Sequence, residues 1–313
     1  MSNNFPWKRN YLAEHSGIVR QLDYNEPLRI SESAIFEGNG LTVLQAIPSE
    51  SIRCAITSPP YWGLRDYGID GQIGLESTLP QFLNQLTRVF SEVKRVLTLD
   101  GTLWLNIGDG YTSGNRGYRA TDKKNSARGM STRPSTPLGL KPKDLIGVPW
   151  RLAFALQDDG WFLRSDIVWN KPNAMPESVK DRPVRSHEYL FMLTKSANYY
   201  YDHLAVMEPT DDRKARRSRR SVWNVNTKAF GGAHFATFPP ELIRPCVQAS
   251  TQPGDFVLDP FFGAGTVGLV AQEENRQYIG IELNPEYVRM AATRLKERGS
   301  DVPHLAAIAS QAA

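Results

Sequence analysis

The chain has 313 residues, 41% of them hydrophobic and 22% charged, which suits one large globular domain with insertions, or two domains. No apolar run approaches the roughly 20 residues that span a bilayer, and residues 1–17 lack the apolar core of a signal peptide, which argues against a membrane or secreted protein. The two cysteines have no metal-ligand spacing and predict no disulfide framework. We therefore expect a cytoplasmic protein with no membrane partner and no metal.

The net charge is only +4, but it is unevenly distributed. Residues 111–143, the first basic segment, carry +7, and residues 213–220, the second basic segment, carry +6, which leaves −9 on the remainder. An acidic body with two basic segments suits a protein that binds a polyanion, because each Lys or Arg set against a phosphate releases counterions. Two solvated loops would produce the same charges, so both interpretations stay open at this point.

The first third of the chain predicts an arm followed by alternating helices and strands. Residues 1–30 show little periodicity and predict an irregular N-terminal arm. A helix over 41–47 is followed by a turn and by an apolar strand over 52–57. Residues 79–97 carry apolar side chains at the 3.6-residue period of an amphipathic helix, and Asp100-Gly101 then predicts a turn into a second strand.

The same alternation continues to the C-terminus. The first basic segment is rich in Gly, Ser, Thr and Pro and predicts a mobile loop. Beyond it, the pattern predicts helices over 145–159, 239–250, 267–275 and 285–298, and strands over 161–171, 187–202, 255–259 and 277–284. Strands and helices in alternation imply a parallel sheet with right-handed crossovers, and hence an α/β fold.

One candidate site follows the strand over 52–57. Pro59 and Pro60 cannot donate to a sheet ladder, so the strand ends before them. Ser58, the two prolines and Tyr61 therefore project from a sheet edge, where open α/β folds bind their ligands. We call residues 58–61 the SPPY segment.

A second candidate site follows the strand over 255–259. Gly263 and Gly265 open a helix with the spacing G-x-G, and Glu282 closes the next strand 19 residues after Gly263. A carboxylate in that place can hydrogen-bond both hydroxyls of a ribose. Because the third glycine of the dinucleotide fingerprint is missing, an adenosine-containing ligand without a pyrophosphate fits better than NAD.

Both sites resemble motifs of one family. TSPPYW, residues 57–62, resembles the catalytic motif of amino-methylating DNA methyltransferases, and DPFFGAGT, residues 259–266, resembles their S-adenosylmethionine motif. The catalytic motif comes first, as in the permuted β group of these enzymes. The match covers roughly residues 35–295 outside the basic insertions. It implies a Rossmann-like α/β methyltransferase fold with a mostly parallel sheet, permuted motif order and a small inserted recognition region, with S-adenosylmethionine as cofactor and double-stranded DNA as partner.

The resemblance also divides the chain. The predicted parts are the N-terminal arm (1–34), the catalytic half with the first basic segment (35–207), a candidate target-recognition segment (208–232), the cofactor-binding half (233–300) and a frayed tail (301–313). Whether a cognate restriction endonuclease accompanies the protein, and whether it is a monomer or a homodimer, stays open.

The resemblance assigns catalysis to the SPPY segment. An exocyclic base amine is a poor nucleophile because its lone pair is delocalised into the ring. Ser58 Oγ and the Pro59 carbonyl are the expected acceptors for its two N–H groups, Pro60 stiffens the backbone, and Tyr61 is expected to stack on a base flipped out of the duplex.

Cofactor and DNA contacts are assigned by the same resemblance. The expected cofactor residues are Asn39, Thr237, Phe238, Asp259, Pro260, Phe261, Gly263, Gly265, Thr266, Glu282 and Asn284. Asn39 departs from the family, which commonly has Gly-Asp where this chain has Gly38-Asn39. The expected DNA-binding residues lie in the two basic segments and just beyond the second: Arg116, Arg119, Lys123, Lys124, Arg213, Lys214, Arg216, Arg217, Arg219, Arg220 and Trp223.

The target base follows from one residue. Family members with Ser in the first position of the SPPY segment mostly methylate cytosine N4, whereas those with Asp mostly methylate adenine N6, so Ser58 favours N4-cytosine and leaves N6-adenine as the alternative. Methylation of protein or RNA is disfavoured by the motif order, and a non-catalytic DNA-binding protein by the two intact motifs.

Three further features allow alternatives. Trp62 either extends the stacking wall or packs beneath the loop. Cys246 in Pro245-Cys246 is expected to be a core residue rather than a nucleophile. His187-Glu188 is expected to orient the site or to form a core hydrogen bond.

Overall fold

The computed structural model describes residues 18–20, 28, 30–113, 118, 134–210, 212–228 and 238–299. The strands are β1 Val19–Arg20, β2 Ala34–Glu37, β3 Ile52–Thr57, β4 Leu97–Ile107, β5 Phe162–Asn170, β6 His187–Thr194, β7 Glu208–Pro209, β8 Arg216–Arg217, β9 Val222–Asn224, β10 Phe256–Asp259 and β11 Gln277–Glu282. The helices are α1 Gly40–Ala46, α2 Leu79–Val96, α3 Val148–Asp158, α4 Pro240–Ser250, α5 Thr266–Glu273 and α6 Pro285–Gly299.

Within these residues, a nine-stranded sheet has the order β1-β2-β11-β10-β3-β4-β6-β5-β9. Along the described sheet, β6 alone is antiparallel to its neighbours β4 and β5, and every other pairing is parallel. β7 and β8 form a separate antiparallel pair. The mostly parallel sheet confirms the predicted α/β fold, and it brings the ends of β3, β10 and β11 to one edge.

Helices cover both faces of the sheet, so its central strands are apolar on both sides. Side chains alternate along β3: Ala55 lies in the layer beneath α2 and α3, whereas Cys54 and Ile56 lie in the layer beneath α4, α5 and α6. Cys246 on α4 is fully buried in that second layer, and burial raises the pKa of its thiol well above the usual value. The expectation that Cys246 is a core residue is confirmed.

Several element boundaries agree with the sequence pattern. α2 begins with a reciprocal capping box, in which Thr78 and Gln81 each hydrogen-bond the other's backbone N–H. α3 carries Pro149 in its first turn, and Gly160 follows its end with a φ of 83°. No described helix combines the length and the apolar composition that a bilayer span requires.

Three predictions of local structure are wrong. The N-terminal arm is not wholly irregular, because Val19 and Arg20 form β1 and pair with β2. Asp100-Gly101 is not a turn: α2 leads directly into β4, which continues through both residues, while Asp100 forms an ion pair with Arg53. β6 ends at Thr194, so the predicted strand over 187–202 is too long.

Candidate active site

A cavity of about 440 Å³ lies at the edge of the sheet where β3, β10 and β11 end. It is lined by most of the predicted catalytic and cofactor residues, namely Asn39, Ser58, Pro59, Pro60, Tyr61, Phe238, Asp259, Pro260, Phe261, Gly263, Thr266, Glu282 and Asn284. Gly265 lies just before α5, as its N-cap residue. Thr237 lies outside the described residues. The structure therefore brings the two sequence motifs together around one cavity.

A buried hydrogen bond joins the two motifs. Thr57, the last residue of β3, donates from Oγ1 to Asp259 Oδ1 at 2.6 Å, and the same oxygen accepts from the Phe261 N–H at 3.0 Å. Asp259 is only 2% exposed, and burial raises the pKa of its carboxyl to about 7. Ser58, the first residue of the SPPY segment, therefore directly follows a residue whose side chain is hydrogen-bonded to the cofactor motif.

The turn between β10 and α5 is held by Glu282. Its two carboxylate oxygens accept from the backbone N–H groups of Gly263, at 2.8 Å, and Asn284, at 2.7 Å. Burial raises the pKa of the Glu282 carboxyl. Gly265 has a φ of 76°, and a Cβ there would lie 3.1 Å from the Cβ of Ala291, so glycine is required for both conformation and space.

Asn39 lines the cavity and also begins a helix. Its Oδ1 accepts from the N–H groups of Leu41, at 3.0 Å, and Thr42, at 3.3 Å, which makes Asn39 the N-cap of α1. An Asp at this position could accept the same two hydrogen bonds, so the departure from Gly-Asp preserves the local fold.

Tyr61 is held by Glu188, which is held in turn by Asn106 and Lys171. Its hydroxyl donates to Glu188 Oε2 at 2.9 Å. Glu188, at the start of β6, also accepts from Asn106 Nδ2 at 3.3 Å and pairs with Lys171 Nζ at 2.5 Å. Burial, and then the Glu188 charge, raise the pKa of Tyr61 well above its usual value. The expectation that Glu188 orients the site agrees with these contacts.

Sequence reasoning missed one wall of the cavity, which is formed by residues 63–76, the cover segment. Arg65, Tyr67 and Gln72 from this segment line the cavity, and the Tyr67 ring meets that of Tyr287 edge-on at 6.0 Å. The sequence feature that could have indicated this segment is its cluster of glycines, Gly63, Gly68, Gly71 and Gly74. All four have a positive φ in the structure. Such a cluster predicts a compact loop, but not which cavity the loop covers.

Trp62 packs beneath the cover segment. Its ring stacks against Phe82 of α2 at 6.5 Å, and its Nε1 donates to the Glu76 carbonyl at 2.9 Å. Of the two roles that the sequence left open for Trp62, the structure supports packing.

The second basic segment presents several cations to solvent. Arg213, Lys214, Arg216 and Arg220 are exposed. Arg217 and Arg220 both pair with Glu208 on β7, at 3.0 and 3.1 Å, which fastens this segment to the neighbouring strand. In the first basic segment, Arg116, Arg119, Lys123 and Lys124 lie outside the described residues.

The structure corrects the expectation that Trp223 reaches DNA. Trp223 lies in β9, which pairs with β5, and it is only 6% exposed. Its ring packs on that of Trp104 at 6.4 Å, and its Nε1 donates to the Arg220 carbonyl at 2.7 Å. Its apolar surface and its one donor are therefore both used inside the protein.

Comparison with known proteins identifies the family. The family model described as DNA methylase, of the N6 and N4 type, matches residues 52–293. The chain belongs to this family of DNA methylases. It is 72% identical over 295 residues to the type II methyltransferase M.XycI of Xanthomonas campestris pv. cyanopsidis, covering 94% of this chain and 98% of that protein. It is 53% identical over 291 residues to M.SmaI of Serratia marcescens, covering 92% and 100%.

Solved structures share the fold of this methylase. The cytosine-N4-specific PvuII DNA methyltransferase matches with a TM-score of 0.64 and 23% identity, over 87% of this chain and 91% of that one. A candidate DNA modification methylase of Thermus thermophilus, solved with S-adenosyl-L-methionine, matches with a TM-score of 0.57 and 25% identity, over 84% and 93%. The predicted cofactor, S-adenosylmethionine, is confirmed for the family.

The cavity fits this cofactor. Its volume lies in the range of about 300–1,000 Å³ that is typical of ligand pockets. The partly buried Glu282 carboxylate, whose oxygens each keep a further lone pair, suits ribose hydroxyls, and the glycine turn lets a ligand approach the backbone closely.

Proposed function

We propose that this DNA methylase transfers a methyl group to the exocyclic N4 amine of cytosine in double-stranded DNA. The observation that carries the proposal is Ser58, which lines the same cavity as the cofactor motif and occupies the first position of the SPPY segment. The fold shared with a cytosine-N4-specific enzyme supports the same base.

The chain's own residues prepare the amine. Ser58 Oγ and the Pro59 carbonyl each accept one N–H of the amine, which draws the nitrogen toward tetrahedral geometry and localises its lone pair. The fixed φ of Pro59 and Pro60 holds the accepting carbonyl in place without further ordering when the base arrives. Tyr61 offers a ring face to the flipped base.

When bound, S-adenosylmethionine supplies a methyl group on a positively charged sulfur: the C–S bond breaks with its electron pair left on sulfur, a C–N bond forms, and the displaced N–H proton passes to water. Asn39, Asp259 and Glu282 would hold the nucleoside part of this cofactor, and Phe238 would contact its methionine end.

We further propose that exposed cations of the second basic segment, among them Arg213, Lys214 and Arg216, contact DNA phosphates, together with the first basic segment. The similar proteins named type II methyltransferases suggest that this enzyme protects DNA from a cognate restriction endonuclease.

The test is transfer of a tritiated methyl group from S-adenosylmethionine to unmethylated plasmid DNA, followed by mass spectrometry of the nucleosides. Wild-type protein should form N4-methylcytosine. Ser58→Ala should lose at least about tenfold in rate, because one hydrogen bond to the amine is removed. Ser51→Ala is the matched control, since the Ser51 hydroxyl only bonds the Pro48 carbonyl in an exposed turn.

The product decides between the two bases. N6-methyladenine would overturn the cytosine assignment in favour of the second activity that the family includes. Full activity of Ser58→Ala would overturn the role of Ser58. Absence of any transfer to DNA would overturn the proposed function as a whole.

A further inference from the structure

A large apolar side chain stands in solvent on the loop that joins β5 to β6, residues 171–186, the β5–β6 loop. This side chain, Met175, is 79% exposed. Among the large hydrophobic side chains that the structure describes, only Leu138 is more exposed. Single exposed apolar residues are common on protein surfaces, so the position of Met175 decides whether it has a role.

The topology of the sheet places the β5–β6 loop beside the catalytic motif. β6 is antiparallel to both β4 and β5, and β4 is parallel to β3, so β5 ends at the same edge as β3. Lys171, the first residue of the loop, lies 2.5 Å from Glu188 Oε1, and Glu188 accepts the hydrogen bond of the Tyr61 hydroxyl at 2.9 Å. The loop therefore begins one side chain away from the residue that holds Tyr61.

Met175 follows this start closely. The Ala174 N–H donates to the Lys171 carbonyl at 2.9 Å, which closes a turn. The Cα atoms at the two ends of such a turn are less than about 7 Å apart, and one further residue adds at most about 3.8 Å. The Met175 Cα is therefore within about 11 Å of the Lys171 Cα, near the side of the cavity that Tyr61 forms.

The loop is held on both sides of Met175. Asn173 donates from Nδ2 to the Thr227 carbonyl at 2.9 Å, and its Oδ1 accepts from the Thr227 N–H at 2.8 Å. Further along, the Arg182 guanidinium carbon lies 3.9 Å from the centroid of the Tyr111 ring. A side chain whose backbone is already fixed loses little conformational entropy when a partner arrives, so this loop is suited to present Met175 in one place.

The proposed reaction creates a vacancy that such a side chain can fill. A base that leaves the duplex exposes the apolar faces of its two former neighbours to water, and proteins that unstack bases insert apolar wedges, Met among them. Methionine is unbranched and flexible enough to fill a gap one base thick. The second basic segment leads into β9, which pairs with β5, so the cations proposed to hold DNA phosphates lie just before the strand next to β5.

We propose that Met175 is the wedge that enters the base stack in place of the flipped base while Tyr61 receives that base in the cavity. This inference rests on the proposed function. It assigns to Met175 a positioning role, because the side chain acts on the conformation of the DNA and not on the reacting amine.

The first test compares two duplexes in single-turnover methyl transfer. Their sequence is that of a site which the wild-type protein methylates in plasmid DNA. In one duplex the target base is paired, and in the other it lies opposite an abasic sugar. Met175→Ala should lower the rate on the paired duplex about tenfold, as expected for the lost burial of one Met side chain. On the abasic duplex it should lower the rate less than about threefold, because an unpaired base costs less to flip.

Two further variants make this test specific. Met175→Leu keeps an apolar side chain of similar size and should retain most of the wild-type rate on the paired duplex. Leu204→Ala is the matched control: Leu204 is 62% exposed in a turn that follows β6, at the opposite edge of the sheet, and its removal should leave both rates unchanged. Equal factors for Met175→Ala on the two duplexes would overturn the proposal.

The second test observes flipping without methyl transfer. A fluorescent analogue replaces the target base, pyrrolocytosine for cytosine or 2-aminopurine for adenine, and the duplex is bound in the presence of S-adenosylhomocysteine. Fluorescence should increase when wild-type protein or Leu204→Ala binds, because the analogue leaves the stack, and should increase less with Met175→Ala. The same increase with all three proteins would overturn the wedge.

Two other outcomes separate this proposal from its alternatives. If Met175→Ala changed the sedimentation coefficient of the DNA-free protein and lowered both rates equally, Met175 would belong to a protein interface and the wedge would be overturned. No methyl transfer to DNA by the wild-type protein would overturn the proposed function itself, whereas failure of the wedge alone leaves wild-type methylation intact.

Discussion

At the scale of single residues, Gly108 lies against the SPPY segment just after β4. A Cβ on Gly108 would lie 2.8 Å from Tyr61 Cε2 and 3.1 Å from Glu188 Oε1. Both distances are shorter than ordinary van der Waals contact, so the absence of a side chain lets Tyr61 reach Glu188. The position of the Tyr61 ring therefore depends on a residue 47 positions away in the sequence.

Gly108→Ala should displace Tyr61 and lower the rate of methyl transfer at least about tenfold, because a displacement near 1 Å at a reacting centre can cost about a hundredfold. Affinity for S-adenosylhomocysteine, measured by calorimetry, should change little. Gly110→Ala is the matched control, since a Cβ there would meet only Ile146 Cδ1, at 3.9 Å. Equal activity of the two variants would contradict this account.

At the scale of elements, β9 fastens the second basic segment to the main sheet. It pairs with β5 through Val222, Trp223 and Asn224 and places the Trp223 ring in the core. Arg213, Lys214, Arg216 and Arg220, which precede it, stay exposed. Side chains alternate along β9, so that Trp223 is buried while Val222 and Asn224 are exposed. The strand thus anchors the charged segment that precedes it.

Trp223→Ala should lower the free energy of unfolding by about 3 to 5 kcal/mol, as expected for loss of a large buried aromatic side chain. Urea denaturation measures this change. Val222→Ala, at a 59% exposed position of the same strand, should cost less than about 1 kcal/mol. Unchanged stability of Trp223→Ala together with weakened DNA binding would restore Trp223 as a DNA contact.

At the scale of the whole molecule, two halves that are distant in sequence share one sheet. β3 pairs with β10 in parallel, and the bond from Thr57 to Asp259 joins residues 202 positions apart at the cavity edge. The raised pKa of Asp259 means that the folded protein binds its proton more tightly than the unfolded chain does. The resulting stabilisation is complete below the ordinary pKa of 3.8 and is lost as the pH rises through about 7.

Asp259→Asn removes this titration while keeping an oxygen acceptor for Thr57. The free energy of unfolding of wild type, taken relative to Asp259→Asn, should therefore fall by about 3 kcal/mol between pH 5 and pH 8, since each pKa unit corresponds to about 1.4 kcal/mol. Urea denaturation of both proteins across this range measures the difference. A difference that is constant with pH would contradict a raised pKa at Asp259.

How far the sequence predicted the structure depended on the range of the interactions. Strand β3, helix α2 and the glycine turn after β10 follow from local patterns: apolar runs, a 3.6-residue period and the requirement for a positive φ. Asp100-Gly101 misled, because this dipeptide, which is typical of turns, lies at an irregularity inside β4, between Leu97 and Thr102, which pair with Ile52 and Cys54 of β3. Tyr67 and the cover segment were missed, since a loop carries no periodicity that points to its partner.

The sequence alone determined the α/β class, the order of the two motifs and the motif residues that line the cavity, because these depend on residue type, spacing and a recognisable resemblance. The tertiary structure decided that Trp223 is buried, that Glu188 meets Tyr61 and that the cover segment closes one wall. Each of these is a contact between residues that come together only when the sheet forms. The side-chain composition of a segment does not specify which other segment it will contact.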